Sequence, residues 1–298
     1  MKILYKKNLF EYIKIKGMGG VCLKKEIRKV YYDEELKIEA YSFEGIMQTF
    51  PNHFHNHYVI GLIEEGERFL YCKNHKYIVG KDSILLFNPN DNHGCTQNDE
   101  GTLYYKGLNI PKNTMLNLTE EITGKRQLNV FSENVIYNSA IKHYILNLHK
   151  MIMNESKEFE KEEILLFLIS LLIEQYGQPF EDNIFECRRE IDLACNFMEQ
   201  HFDETISLKQ LCQCCNLSKS TLLRAFTKSK GVTPYRYLQT IRINKAKELL
   251  EKGISPADAA LLTGFSDQSH FTNFFNMFIG ISPAAYRNIF IGKENNNE

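Results

Sequence analysis

Residues 206–286 carry one pattern twice, and no other feature restricts the fold of this chain so strongly. Ile206-Ser207 recurs as Ile254-Ser255, and Leu217-Ser218 recurs as Phe265-Ser266, each 48 positions later. After a slip of one residue, Ser220 corresponds to Ser269, Leu222 to Phe271, Phe226 to Phe275 and Tyr237 to Tyr286. Gly231-Val232-Thr233-Pro234 likewise corresponds to Gly280-Ile281-Ser282-Pro283. A steady offset across so many residue types marks a duplicated supersecondary unit.

Each copy reads as a short helix, a tight turn and a second helix. Asn216 and Gly264 hold the same turn position, where the chain needs a residue that tolerates left-handed backbone. Ser218 and Ser266 are expected to cap the helices that follow. Leu222 with Phe226, and Phe271 with Phe275, bury one face at i, i+4 spacing. The opposite face of the first helix carries Lys219, Ser220, Thr221, Arg224 and Lys228. That of the second carries Asp267, Gln268, His270, Asn273 and Asn276. Hydrogen-bonding side chains on a helix held by its buried back are what reading a DNA major groove requires. The first face suits phosphates and guanine through Arg224; the second, rich in amides, suits adenine through Gln268 and Asn273.

Residues 234–251 read as one long helix joining the copies, stiff enough to hold two reading helices about 34 Å apart, one turn of DNA. Charge agrees. Residues 205–290 hold eleven Lys and Arg against four Asp and Glu, whereas residues 1–180 hold 22 against 23, within a chain of net charge −1. A basic third on a near-neutral protein points to a polyanionic partner.

The run from Ala246-Lys247-Glu248-Leu249-Leu250 through Gly264-Phe265-Ser266-Asp267-Gln268-Ser269-His270-Phe271 to Gly280-Ile281-Ser282-Pro283-Ala284-Ala285-Tyr286-Arg287 resembles the signature of the AraC/XylS family of bacterial transcription regulators. The resemblance covers about 100 C-terminal residues. It implies a sequence-specific DNA-binding regulator, habitually an activator that contacts RNA polymerase, with reading helices after Leu217 and Phe265.

The front half differs in period. Residues 58–63, 68–71, 77–79 and 84–87 are short β-prone runs separated by turn residues, the pattern of a small barrel. From 133 to 177 the period becomes helical. Tyr137, Ile141, Tyr144, Leu148 and Met151 form one stripe, and Ile164, Leu168 and Leu171 a second, which suggests a hairpin packed on the barrel or pairing with a second chain. His53-Phe54-His55-Asn56-His57-Tyr58, with Gly66 and the run from Gly80 to Asn88-Pro89-Asn90-Asp91-Asn92-His93, resembles the cupin-like effector domain of the same family. The resemblance implies a small polar effector, with His53, His55, His57, Tyr58 and His93 as its candidate contacts.

Alternation would place His53, His55 and His57 on one face of a strand, joined by His93, as candidate metal ligands. Metal-dependent cupins add a carboxylate that would fall near Tyr58 or Val59; it is missing, which leaves coordination by histidines alone as the open alternative to the expectation of no metal or other cofactor. Two rival classes stay open: a metal-dependent cupin enzyme with a helical appendage, and a regulator whose barrel only dimerises. The repeated helical unit gives an enzyme no evident use, so no catalysis is expected.

The expected fold is therefore α+β, an N-terminal cupin-like β-barrel with a helical hairpin followed by an all-α domain of two helix-turn-helix units. The boundaries are a basic, disordered or non-native segment at 1–25 (with Met18 as an alternative start), an effector-binding and dimerisation domain at 26–177, a linker at 178–186, the DNA-binding domain at 187–290 and a tail at 291–298. No apolar run reaches the roughly 18 residues that span a bilayer, and the eight scattered cysteines, with Cys212, Cys214 and Cys215 clustered, read as small core fillers. A cytoplasmic homodimer bound to double-stranded promoter DNA, with no membrane partner, is the resulting expectation.

Overall fold

A computed structural model describes residues 2–6, 9–18, 21–98, 101–155, 160–179 and 188–291, the first 25 by backbone alone. The strands are β1 (Lys2–Lys6), β2 (Leu9–Met18), β3 (Val21–Asp33), β4 (Ile38–Ile46), β5 (Phe50–His53), β6 (Tyr58–Glu65), β7 (Arg68–Cys72), β8 (His75–Val79), β9 (Ile84–Phe87), β10 (His93–Gln97) and β11 (Leu103–Ile110). Helix α1 (Lys112–Thr123) follows, then β12 (Asn129–Phe131), β13 (Val135–Ile136), α2 (Ser139–Met153), α3 (Glu160–Tyr176) and β14 (Gly177–Pro179). The rest is helical: α4 (Arg188–Gln200), α5 (Leu208–Cys215), α6 (Lys219–Lys230), α7 (Pro234–Glu251), α8 (Pro256–Leu262), α9 (Gln268–Ile279) and α10 (Pro283–Ile291).

The strands form the expected barrel from two facing sheets. One has the order β1-β2-β3-β4-β11-β6-β9-β13, and the other β5-β10-β7-β8. Segment 1–25, expected outside the fold, runs as β1, β2 and the start of β3 along the edge of the larger sheet. Only residues 178 and 179 of the expected linker are described; they pair in β14 with β12. The rest of the linker, and the tail beyond 291, lie outside the described residues.

Strand β6 explains why the large sheet has two cores. Val59 and Ile63 point into the barrel, while Tyr58, Ile60 and Leu62 point out, beneath α1, α2 and α3. A strand buried on both faces reads as a continuous apolar run rather than an alternation. Gly61 lies within it because the Tyr105 side chain occupies the space a side chain would take, its hydroxyl 2.5 Å from a Cβ. The hairpin buries Ile141, Ile145, Leu148 and Ile152 of α2 and Leu165, Leu168, Ile169 and Leu172 of α3. The expected stripe is thus rotated by about one position. Tyr137 precedes α2 and is 65% exposed, because its hydroxyl accepts a hydrogen bond from Ser83 Oγ at the barrel surface.

The repeat folds as a repeat. Asn216 (φ 51°) and Gly264 (φ 74°) both take the left-handed turn conformation. Ser218 caps α6, but Asp267, not the expected Ser266, caps α9, its carboxylate accepting from the His270 amide at 2.7 Å. Helices α6 and α9 each end on a left-handed glycine, Gly231 or Gly280, which closes the last turn as side-chain-bearing residues rarely do. Cys215 fills the first unit's core with Leu222 and Phe226, and the described cysteines are free.

His149 of α2 crosses the hairpin interface to donate from Nε2 to the Tyr41 carbonyl at 2.7 Å. Burial, opposed by that bond, lowers its pKa to about 4. Between pH 6.5 and 4 the unfolded chain therefore binds a proton that the folded chain refuses, so this group's contribution is intact above 6.5 and is lost on acidification. Thermal midpoints should fall over this window, and less steeply in His149→Gln; equal slopes would refute the assignment.

Candidate functional site

Inside the barrel is a cavity of about 130 Å³. Its walls are mainly apolar: Phe43, Val59, Ile63, Leu70, Leu85 and Phe87 come from the two sheets. Polar groups gather on one side, where His53, His55, His57 and His93 meet Tyr41, Asn109 and Lys247. Strand alternation turns the aliphatic and aromatic residues of β6, β7 and β9 inward, so the expected histidines supply the polar side of an otherwise apolar wall.

Four of the five expected effector contacts line this space, although not on one strand. β5 ends at His53 in the small sheet and β6 begins at Tyr58 in the large one, so the chain crosses between sheets at 54–57. The histidines converge nonetheless, with ring centroids 4.7 Å apart for His53–His55 and 4.6 Å for His53–His93. Tyr58 does not join them. It points to the helical side of the sheet and donates its hydroxyl to the Asn129 carbonyl at 2.8 Å. His93 is positioned by the 88–92 loop, where Asn88 brackets Phe131 through both its amide atoms and Asn90 takes a positive φ.

Burial and the neighbouring His93 bring the His53 pKa down to about 3. Burial and Lys247 bring His57 to about 3, against the pull of Glu39, and burial brings His93 to about 4. His55 is lowered well below its usual value by burial and by His53. The cluster is neutral at physiological pH and offers lone pairs rather than charge.

Three cavity residues belong to the helical domain: Lys247 of α7, and Phe278 and Ile279 of α9. They were not legible in the sequence, although Lys247 lies on the α7 stripe of Ile243, Ala246 and Leu250, which is otherwise apolar. Glu39 of β4 meets Lys247 at 3.4 Å, accepts from the Tyr286 and Tyr41 hydroxyls and from Asn109, and is buried. Burial alone would raise its pKa; Lys247 and these donors hold it at about 2. The barrel also grips α6 and α9 at equivalent points of the repeat. Asn92 donates to the carbonyl of Gly231 at 3.0 Å, and Arg28 donates to that of Gly280. Phe54 turns away from the cavity and packs on Tyr237, 4.9 Å between centroids, in the core of the first helical unit.

The far ends of these helices are free of the barrel. Lys219, Arg224 and Lys228 are exposed on α6, as are Gln268 and Asn273 on α9. Thr221 is half-buried and bonded to Ser218, the side chain of Ser220 lies outside the described residues, and Asn276 is half-buried near the barrel. Asp267 is committed to its cap, and His270 packs edge-on against Phe274 at 4.7 Å. Several cations behind the basic balance are structural: Arg242 bonds the carbonyls of Phe202 and Glu204, and Arg287 that of Gly253.

Residues 35–172 match the AraC-like ligand binding domain, and residues 211–289 match a helix-turn-helix domain. YbfI of Bacillus subtilis (strain 168), an HTH-type transcriptional regulator, is 45% identical over 83% of this chain and 90% of its own. The HTH-type transcriptional activator RhaS of Escherichia coli O1:K1 is 24% identical over 80% of this chain and 87% of its own. ToxT from Vibrio cholerae O395 shares the fold, with a TM-score of 0.50 and 18% identity over 86% of this chain and 98% of that one. No helix among the described residues is long and apolar enough to cross a membrane.

Replacing Lys247 with Met strands the Glu39 carboxylate in the interior, which should cost roughly 3–5 kcal/mol. Urea denaturation of Lys247→Met, Glu39→Gln and the double variant tests this, since the double variant should recover much of the loss. Additive losses would show that the pair is not coupled.

Proposed function

Because the chain belongs to the AraC family of transcription regulators, with an AraC-like ligand-binding domain and a helix-turn-helix DNA-binding domain, we propose that it reads a promoter sequence through α6 and α9 and is switched by a small amphipathic molecule held in the barrel. Lys219, Arg224 and Lys228 neutralise phosphates, with Arg224 also able to grip guanine, while Gln268 and Asn273 choose the sequence through adenine-type contacts. Ser220 and Thr221 lie beside the first set. Asp267, His270 and Asn276 support the second helix more than they read DNA.

One observation supports the switch: the cavity wall is shared between the barrel and α9. A cavity near 150 Å³ takes up benzene, so a larger ligand must displace Phe278 and Ile279 and thereby move the helix that carries Gln268 and Asn273. An apolar body fits the sheet side, and a polar head fits Lys247, Asn109 and the histidines. Ligand affinity that differs between the docked and released arrangements shifts the population between them. The output is activation, the role that the name of RhaS gives to a relative, exerted through contact with RNA polymerase. A second copy pairs on the hairpin face, where Phe167 is 58% exposed beside Tyr144. The protein works in the cytoplasm and has no enzymatic activity.

Fluorescence anisotropy with genomic promoter fragments tests the DNA reading. Affinity should fall steeply as salt rises. Arg224→Ala should weaken binding by about 1–3 kcal/mol, whereas Gln268→Ala or Asn273→Ala should relax sequence preference more than affinity. Unaltered binding by Arg224→Ala would remove α6 from the interface. The switch is tested by thermal shift with a panel of small amphipathic acids and polar metabolites. A ligand at a hundred times its Kd should add about 2.7 kcal/mol of stability, and Ile63→Trp, which fills the cavity, should abolish the gain. A panel without effect on the wild-type chain would leave the barrel without a ligand role.

A further inference from the structure

The histidine cluster is better built than an effector wall requires. His53 donates from Nδ1 to the Pro51 carbonyl at 2.7 Å, and His93 donates from Nδ1 to the Asp91 carbonyl at 2.9 Å. Each bond fixes a tautomer whose bare Nε2 faces the cavity, the arrangement in which outer carbonyls orient metal-binding imidazoles. His53 Nε2 and His55 Nε2 lie 3.2 Å apart, and the ligand atoms of His53, His55 and His93 all fall within 4.8 Å of one another. Nitrogen ligands 2.0–2.1 Å from a tetrahedral ion stand about 3.3 Å apart, so one pair already has the spacing and modest ring rotation supplies the rest. Beside them His57 donates Nδ1 to Asn56 Oδ1 at 3.2 Å, which leaves its Nε2 buried without a hydrogen-bond partner. An unsatisfied buried nitrogen calls for an explanation, and a nearby ion supplies one.

We propose that His53, His55 and His93 bind one borderline first-row divalent cation, with Zn²⁺ as the representative ion and the buried Nε2 of His57 beside the site. The donor set selects the ion. Imidazoles suit Zn²⁺, Co²⁺, Ni²⁺ and Cu²⁺, whereas Mg²⁺ and Ca²⁺ need oxygen ligands. The nearby carboxylates are engaged elsewhere, Asp91 with Lys73 and Asn88, and Glu39 with Lys247. An ion here would stiffen the 53–57 crossing, which touches both helical units: His53 lies 5.3 Å from the Phe278 ring, and Phe54 packs on Tyr237. The site occupies the effector cavity but stands on its own geometry.

The test uses the full chain after chelator treatment, titrated with Zn²⁺ by calorimetry and with Co²⁺ by visible absorption. The expected result is one equivalent per chain, with a Co²⁺ ligand-field band that Zn²⁺ abolishes and Mg²⁺ does not. Loss of an outer-shell partner typically costs 10–100-fold in affinity, so His93→Ala and His55→Ala should lose more than about a hundredfold. His75→Ala, at an exposed position on β8, should match the wild type. Should a variant fail to fold, ¹⁵N-histidine NMR of the wild-type chain decides, because one equivalent of Zn²⁺ must shift the Nε2 resonances of the cluster. Absence of saturable binding, equal affinity in His93→Ala, or shifts confined to other histidines would overturn the site. Failure here with the amphipathic thermal shift intact removes the ion and spares the switch; the reverse outcome does the opposite.

Discussion

The C-terminal end of α9 lies across the barrel cavity, and much of the molecule is arranged around that contact. Phe278 and Ile279 share one apolar cluster with Phe43, Val59 and Leu85 of the barrel, so the second helical unit and the effector domain bury surface in common. Apolar burial is non-directional, and alone it would let the helices slide. The direction comes from polar groups at the edge. Glu39, Lys247 and Tyr286 form one buried network across the domain boundary, and the Tyr286 hydroxyl also lies 2.7 Å from the exposed Glu251 carboxylate. Breaking any member leaves an unpaired group in a low-dielectric site, which is why such networks specify one arrangement.

The duplication adds a symmetry to this docking. In each unit the second helix ends on a left-handed glycine, and in each the barrel takes hold of that glycine's carbonyl, through Asn92 for the first and Arg28 for the second. A carbonyl at a helix C-terminus carries the negative end of the macrodipole, so a guanidinium is a fitting partner for Gly280. The barrel thus holds α6 and α9 by their C-terminal ends.

Local structure was legible in the residues; the domain contact was not. The repeat announced α5 to α10, the φ-positive turns at Asn216 and Gly264 followed from residue type, and the long connector was read to its observed ends. Those features depend on neighbours within a turn or two. Lys247 and Glu39 stand 208 positions apart, and no periodicity relates them. In the sequence Lys247 is one more cation of a basic C-terminal region, and charge alone does not say which face a second domain will cover. Tyr58 was misplaced for a related reason: a central strand buried on both faces gives no hint of which side holds the cavity. Ser266 lost the cap to Asp267 because adjacent residues both had the chemistry, and backbone geometry chose between them.

The short crossing from β5 to β6 has histidines facing inward and Phe54 facing outward, so one stretch of five residues serves two chemistries. Lineages that retune what the barrel recognises at His55 or His57 must do so on the same backbone that seats Phe54 in the first helical unit. Recognition of the small molecule and integrity of the DNA-reading half are therefore inherited together, and a change in one will tend to be accompanied by compensation in the other.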